Sequence, residues 1–257
     1  SILYSFDKVE HSIPVEKKED NNDASMQLGF FSEAVNEEIN KKSNIEFDGT
    51  AHASFDCMEK GTLLGHFSLS VPGIHNVSNA LSAIALGRKL GLSLESIQKG
   101  LLHFGGTDRR FQYKGKVGGV TVIDDYAHHP TEIKSTLEAV RQRFPDKRVV
   151  VVFKPNTYSR TIDFKDDFID ALNVADKAFL TEIDCNREKQ EDYPGVSSQI
   201  IIDGLRDGEL ISEETIDKLV PELDSVICFM SCAYIDGLVR ALGELEDKIS
   251  QEEQEEM

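Results

Sequence analysis

Within nine residues, Asp124-Asp125-Tyr126-Ala127-His128-His129-Pro130-Thr131-Glu132, the sequence sets two carboxylates, a phenol and two imidazoles ahead of a proline and a helical pattern. Such a set suits binding a polar small molecule or moving a proton, because every one of these groups accepts or donates hydrogen bonds and imidazole titrates near neutrality. A second cluster, Lys154-Pro155-Asn156-Thr157-Tyr158-Ser159-Arg160-Thr161, offers two cations and five neutral hydrogen-bonding side chains, enough to grip a small zwitterion or a phosphate. A plainer reading exists for both. Acidic residues and histidines after a strand also cap the next helix, and His129 stands where the cap before Pro130 would be. Two further segments carry the same ambiguity. Thr107-Asp108-Arg109-Arg110-Phe111 could aim a guanidinium at a nucleotide phosphate or make a surface salt bridge, and in Pro72-Gly73-Ile74-His75-Asn76-Val77-Ser78-Asn79-Ala80 the amide of Asn76 could simply cap a helix while Asn79 faces solvent.

The elements around these segments decide whether they meet. Hydrophobic patterning predicts a strand over Val120–Ile123, a helix over Thr131–Phe144, a strand over Arg148–Phe153, a helix over Phe164–Val174 and a strand over Lys177–Ile183. A helix around Val196–Leu205, a strand over Val226–Met230 and a helix from Tyr234 to about Leu245 follow. This alternation specifies a doubly wound α/β domain with a mostly parallel sheet. Two parallel strands joined through a helix open their following loops on one edge, so Asp124–His129 and Lys154–Arg160 are expected to be neighbours where such sheets bind ligands. Before Gly105-Gly106 the texture differs: short strands between Phe47 and Val71, helices over Asn76–Leu90 and Leu94–Leu102, and a polar stretch, Lys17–Lys42, with a weak helix at Phe31–Ile39. The glycine pair is expected to mark a domain boundary, giving domains 1–105 and 106–257.

Composition narrows the function classes. The 257 residues suffice for two modest domains, and a formal net charge of -18 argues against nonspecific nucleic-acid binding, which needs cations to displace counterions. No apolar run is long enough for a membrane span and Ser1–Asp20 lacks a signal-peptide core, so a soluble, cytoplasmic protein is expected. The acidic run Glu244–Glu256 reads as a solvated helix end. Cys57, Cys185, Cys228 and Cys232 have no histidines at metal-ligand spacing and read as reduced thiols, those at Cys228 and Cys232 as structural. No metal site is expected within the sequence.

Gly-Ile-His-Asn-x-x-Asn-Ala, Arg-Arg-Phe, Asp-Asp-Tyr-Ala-His-His-Pro-Thr-Glu and Pro-x-Thr-Tyr-Ser-Arg-Thr occur in an order and spacing that resemble those of the Mur ligases, from about Phe47 to Leu242. The resemblance implies the end of a central ATPase domain, an incomplete α/β remnant, followed by a whole Rossmann-like C-terminal ligase domain. It implies an ATP-dependent amide ligase that joins L-alanine to UDP-N-acetylmuramate through an acyl phosphate in peptidoglycan precursor synthesis, using ATP and magnesium, whose ligands are expected mainly outside this sequence. Carried onto this sequence, the resemblance places Asn76 and Asn79 on the adenosine end of ATP, Arg110 near the phosphates, and Asp125 on the ribose. Tyr126, His128, Thr157 and Arg160 fall on the amino-acid side, with Arg110 and His128 nearest the chemistry. Small-molecule substrates, and neither nucleic acid nor membrane, are the implied partners.

Three departures from the family pattern stand out. Asn156 replaces a usual histidine and Thr157 a frequent second arginine. Ser231-Cys232-Ala233-Tyr234 replaces a glycine-rich turn, and no Gly-x-x-x-x-Gly-Lys-Ser/Thr loop occurs. By itself the chain is therefore expected to turn over neither ATP nor alanine. A ligase that recycles a murein tripeptide, and a noncatalytic binding module on the same fold, are the alternative readings.

Overall fold

A computed structural model describes residues 44–59, 62–117, 120–233 and 235–255. The polar stretch Lys17–Lys42, with its expected helix, lies outside them, as does Tyr234. The chain divides into two compact units, Ser1–Gly105 and Gly106–Met257.

In the first unit, β1 (Glu46–Phe47), β2 (His52–Glu59) and β3 (Thr62–Pro72) form an antiparallel sheet. Its apolar face holds the cross-strand pair Phe55 and Phe67, stacked at 5.9 Å, and is covered by Val77, Ala80 and Ile84 of α1 (His75–Lys89) and Ile97 of α2 (Leu94–His103). Gly87 lets the two helices approach, since a Cβ there would stand 3.0 Å from the Ile97 side chain.

The second unit is a six-stranded sheet of order β4-β5-β9-β6-β7-β8, made of β4 (Gln112–Val117), β5 (Val120–Asp125), β6 (Val149–Phe153), β7 (Lys177–Leu180), β8 (Gly208–Leu210) and β9 (Val226–Met230). Every pairing is parallel except the β4–β5 hairpin. The all-apolar runs of β6 and β9 are buried on both faces, as parallel strands between helical layers must be. Val149, Val151 and Phe153 point to one layer and Val150 and Val152 to the other. The first layer contains α3 (Pro130–Arg143), which inserts Ile133, Leu137 and Val140 at helical spacing, together with α5 (Lys165–Leu172) and the short α6 (Gln199–Ile202). The opposite layer is α7 (Asp236–Glu255) and a kinked 3-10 stretch, Glu213–Glu222. The sheet is thus doubly wound, as the patterning specifies.

Several local expectations change. β5 runs on through Asp124 and Asp125, which are strand residues rather than loop residues. β4 pairs beside it although Gln-Tyr-Lys-Gly-Lys-Val shows no apolar alternation; it is an edge strand whose register shifts at Gly115, φ +115°. The expected loop after β6 closes early into α4 (Tyr158–Asp163), so Arg160 lies on a helix.

Burial removes water from the Cys57 thiol and pushes its pKa up to about 11; it raises that of Cys228 as well. Cys185 is exposed and Cys232 half-buried. A thiol reagent should therefore label native protein at Cys185 first, Cys232 more slowly, and Cys57 and Cys228 only on unfolding. Mass-spectrometric mapping checks this, and fast labelling of Cys228 would mean that the central strand is not packed as described.

Candidate functional site

Parallel pairing sets Asp125 opposite Met230, and Met230 opposite Phe153, so β5, β9 and β6 end side by side. The loops that follow them, led by Tyr126, Ser231 and Lys154, therefore share one edge of the sheet. The ladder continues into them: Ser231 N donates to Asp125 O at 3.1 Å, Lys154 N to Met230 O at 3.0 Å, and Ser231 Oγ to Lys154 O at 3.2 Å.

Asp125 anchors this edge. It is 3% exposed, and its carboxylate accepts from Phe111 N and Ala127 N, both at 2.7 Å. Burial raises its pKa while those two N–H groups oppose the rise. A ribose could use only the lone pairs these bonds leave over, so the role Asp125 visibly has is to tie loops together. Asp124 is also buried, with Arg109 Nε at 3.6 Å and Lys114 Nζ at 3.5 Å. Arg109, the first arginine of the Thr107–Phe111 segment, turns to backbone carbonyls. Its Nη2 donates to Ser231 O at 2.5 Å and Ala233 O at 3.0 Å, and its carbonyl accepts from Tyr126 N at 2.6 Å.

Tyr126 lies under both guanidiniums of this segment, 5.2 Å from Arg109 and 5.7 Å from Arg110. Its ring meets His128 edge-on at 5.5 Å. Arg110 is half-exposed and pairs with Glu132 at 3.6 Å. His128 Nδ1 has two acceptors beside it, Tyr126 O at 3.0 Å and Glu132 Oε2 at 3.3 Å. Neither can donate, so Nδ1 carries the proton and Nε2 holds the lone pair of the neutral ring. His129 caps α3 as the plainer reading has it: Nδ1 accepts from Thr131 N at 3.4 Å, and Glu132 returns a bond to His129 N at 3.3 Å. Tyr126 and His128 are thus brought together with Arg110 and Glu132, while His129 caps α3.

In the loop after β6, Thr157 has φ +68°, a conformation that a β-branched residue rarely adopts, and its hydroxyl caps α4 at Arg160 N, 3.4 Å away. Arg160 is half-buried and has no ion-pair partner among the described residues. Its charge nonetheless acts on groups of both neighbouring loops, depressing the pKa of His129 and opposing the burial-driven rise of Cys232.

Asn76 and Asn79 belong to the first unit. Asn76 does not cap α1, whose N-cap position is Ile74; its Nδ2 donates to Pro72 O at 2.7 Å, and its Oδ1 accepts from Asn79 Nδ2 at 3.0 Å.

Residues 109–230 match the Mur ligase, glutamate ligase domain. The UDP-N-acetylmuramate–L-alanine ligase of Agathobacter rectalis is 54% identical over 184 residues, 70% of this chain and 39% of that protein. The enzyme of the same name from Caldanaerobacter subterraneus is 40% identical over 219 residues, 83% of this chain and 46% of that protein. A UDP-N-acetylmuramate-alanine ligase structure from Thermotoga maritima superposes with a TM-score of 0.61 at 25% identity, over 79% of this chain and 44% of that one. The chain therefore spans less than half the length of these relatives.

Burial of the His129 ring, which packs 4.9 Å from Phe164, holds its pKa below the ordinary 6.5, with Glu132 opposing and Arg160 and His128 reinforcing. A group whose pKa is lower folded than unfolded takes up protons on unfolding, so its stabilisation is present above the unfolded value and declines as pH falls through it. His129→Asn retains a capping side chain and cannot titrate. Between about pH 7.5 and about pH 5.5 the wild-type melting temperature should drop more than that of the variant. Equal drops by calorimetry would show that His129 contributes nothing to the pH dependence.

Proposed function

The chain belongs to the Mur ligase family, and on that premise we propose that Gly106–Met257 is the amino-acid-binding domain of an ATP-dependent ligase that joins L-alanine to UDP-N-acetylmuramate, with residues 1–105 belonging to its central ATP-binding domain. One observation carries this reading. Arg160 is half-buried and has no ion-pair partner among the described residues, and it stands at the carboxyl edge of the sheet where its charge acts on His129 and Cys232 of the two neighbouring loops.

Alanine arrives as a zwitterion. Its carboxylate suits the fork of Arg160, aided by the neutral hydroxyl of Thr157. Its ammonium must lose a proton before the nitrogen can attack, and Nε2 of His128 holds the lone pair that can take it, with Glu132 and the Tyr126 carbonyl fixing the tautomer. Attack on an acyl phosphate gathers negative charge at the carbonyl oxygen, which a cation such as Arg110 stabilises. ATP, when bound, supplies the phosphoryl group that activates the muramate carboxylate. Asn76, Asn79 and Arg110 are the residues of this chain suited to the nucleotide. The described residues contain no group of three or more His, Cys, Asp or Glu side chains placed to hold a metal ion.

The tripeptide-recycling and noncatalytic readings have less support, since the relatives at 54% and 40% identity carry the alanine-ligase name. No helix of the described residues is long and apolar enough to cross a membrane.

The test joins the full 257-residue chain to the N-terminal part of the Agathobacter rectalis ligase and measures phosphate release with alanine and ATP varied separately. Loss of a charge-assisted pair costs about 1.5 to 3 kcal/mol, so Arg160→Ala should lower kcat/KM for alanine about ten- to a hundredfold and leave the KM for ATP unchanged. Arg160→Lys should recover part of this, because a point charge does not reproduce a bidentate fork. An unchanged alanine KM with a raised ATP KM would assign Arg160 to the nucleotide.

A further inference from the structure

Arg160 sits on a helix that is too short to hold itself. α4 has six residues, Tyr158–Asp163, and a single turn in water lacks the length that makes helices cooperative. Its first N–H groups need outside acceptors. Those acceptors come from a segment about thirty residues later. Glu188 Oε2 accepts from Tyr158 N at 2.5 Å and Ser159 N at 3.0 Å, while Oε1 accepts from the Ser159 hydroxyl. The Tyr193 ring stacks on Tyr158 at 5.8 Å. The same segment braces the preceding residues: Asp184 N donates to Pro155 O at 2.9 Å, Thr157 N donates to Asp184 O at 2.8 Å, and Asp184 Oδ2 lies 3.5 Å from Lys154 Nζ. Thr157 is thereby kept at φ +68°.

Resting on the reading of Arg160 as the anchor of the alanine carboxylate, we propose that Glu188 is a positioning residue: by capping the first turn of α4 it fixes the direction in which Arg160 presents its guanidinium. The Glu188 carboxylate bonds Tyr158 N, Ser159 N and the Ser159 hydroxyl, so its influence on Arg160 passes through this turn. Tyr158 packs in a small cluster with Ile183 and Val196, apart from the two main clusters of the sheet. Loosening this turn should therefore disturb Arg160 without unfolding the domain.

The test titrates the 257-residue chain with L-alanine by NMR, using ethylamine, which lacks the carboxylate, as the control ligand, alongside thermal melts. Wild type should respond at His128 and Arg160 to alanine and not to ethylamine, and Arg160→Ala should abolish the response. Glu188→Ala should weaken alanine binding about tenfold or more. Glu188→Gln, which keeps one acceptor oxygen, and Ser159→Ala should weaken it less, all with melting temperatures within about 5 °C of wild type. Wild-type affinity in Glu188→Ala, with binding lost in Arg160→Ala, overturns the positioning role alone. Absence of alanine binding in wild type, or its persistence in Arg160→Ala, overturns the reading of Arg160 and the positioning role with it. Should Glu188→Ala fail to fold, undiminished affinity in both Glu188→Gln and Ser159→Ala overturns the proposal.

Discussion

A carboxylate as deeply buried as that of Asp125 stays in a folded chain only where donors are brought to it. Here they are backbone N–H groups from either side of the β4–β5 hairpin, Phe111 before it and Ala127 after it. Satisfying them pins the entry to the hairpin against its exit. Arg109 and Phe111 take up positive φ, +58° and +48°, and Arg109 is turned across the sheet edge onto the carbonyls of Ser231 and Ala233. Local backbone cost is thus offset by bonds that lock three loops into one frame. Tyr126, His128 and Arg110 take their places within that frame.

Much of the frame was legible in the sequence. Five-residue apolar runs at Val149–Phe153 and Val226–Met230 can only be strands covered on both faces, and parallel pairing then forces the loops after β5 and β6 to one edge. What escaped reading has common physical causes. β4 is an edge strand, so selection for solubility erases the alternation that would betray it. α4 is set by a strained threonine and a distant glutamate rather than by its own periodicity. The partners of Arg109 lie 122 and 124 residues away, and they are carbonyls, which every residue carries and no motif marks. Asp125 reads as a ligand residue in sequence because burial and ligation both favour a carboxylate after an apolar strand.

The departures from the family pattern also acquire a physical account. The turn after β9 lacks glycine, yet its backbone is satisfied: Ser231 Oγ accepts from Ala233 N at 3.0 Å and donates to Lys154 O, while Arg109 takes the outward carbonyls. A hydroxyl and a guanidinium here do the closing that glycine would allow through conformational freedom. At Thr157 the opposite holds, since a β-branched residue occupies a positive φ where the brace from Asp184 leaves it no alternative.

With a net charge of -18, the chain carries carboxylates enough to neutralise a cation at the sheet edge from within. Arg160 has no ion-pair partner among the described residues, and five carboxylates on or near this edge are engaged elsewhere. Asp125 is held by Phe111 and Ala127, Asp124 by Arg109 and Lys114, Asp184 by Lys154, and Glu132 by Arg110 and the N–H groups ahead of α3. Glu188 is taken up by the first turn of the helix that bears Arg160. With these acids bound elsewhere, the charge of Arg160 is left without an internal ion-pair partner among the described residues, which is the condition its proposed role as a carboxylate anchor requires.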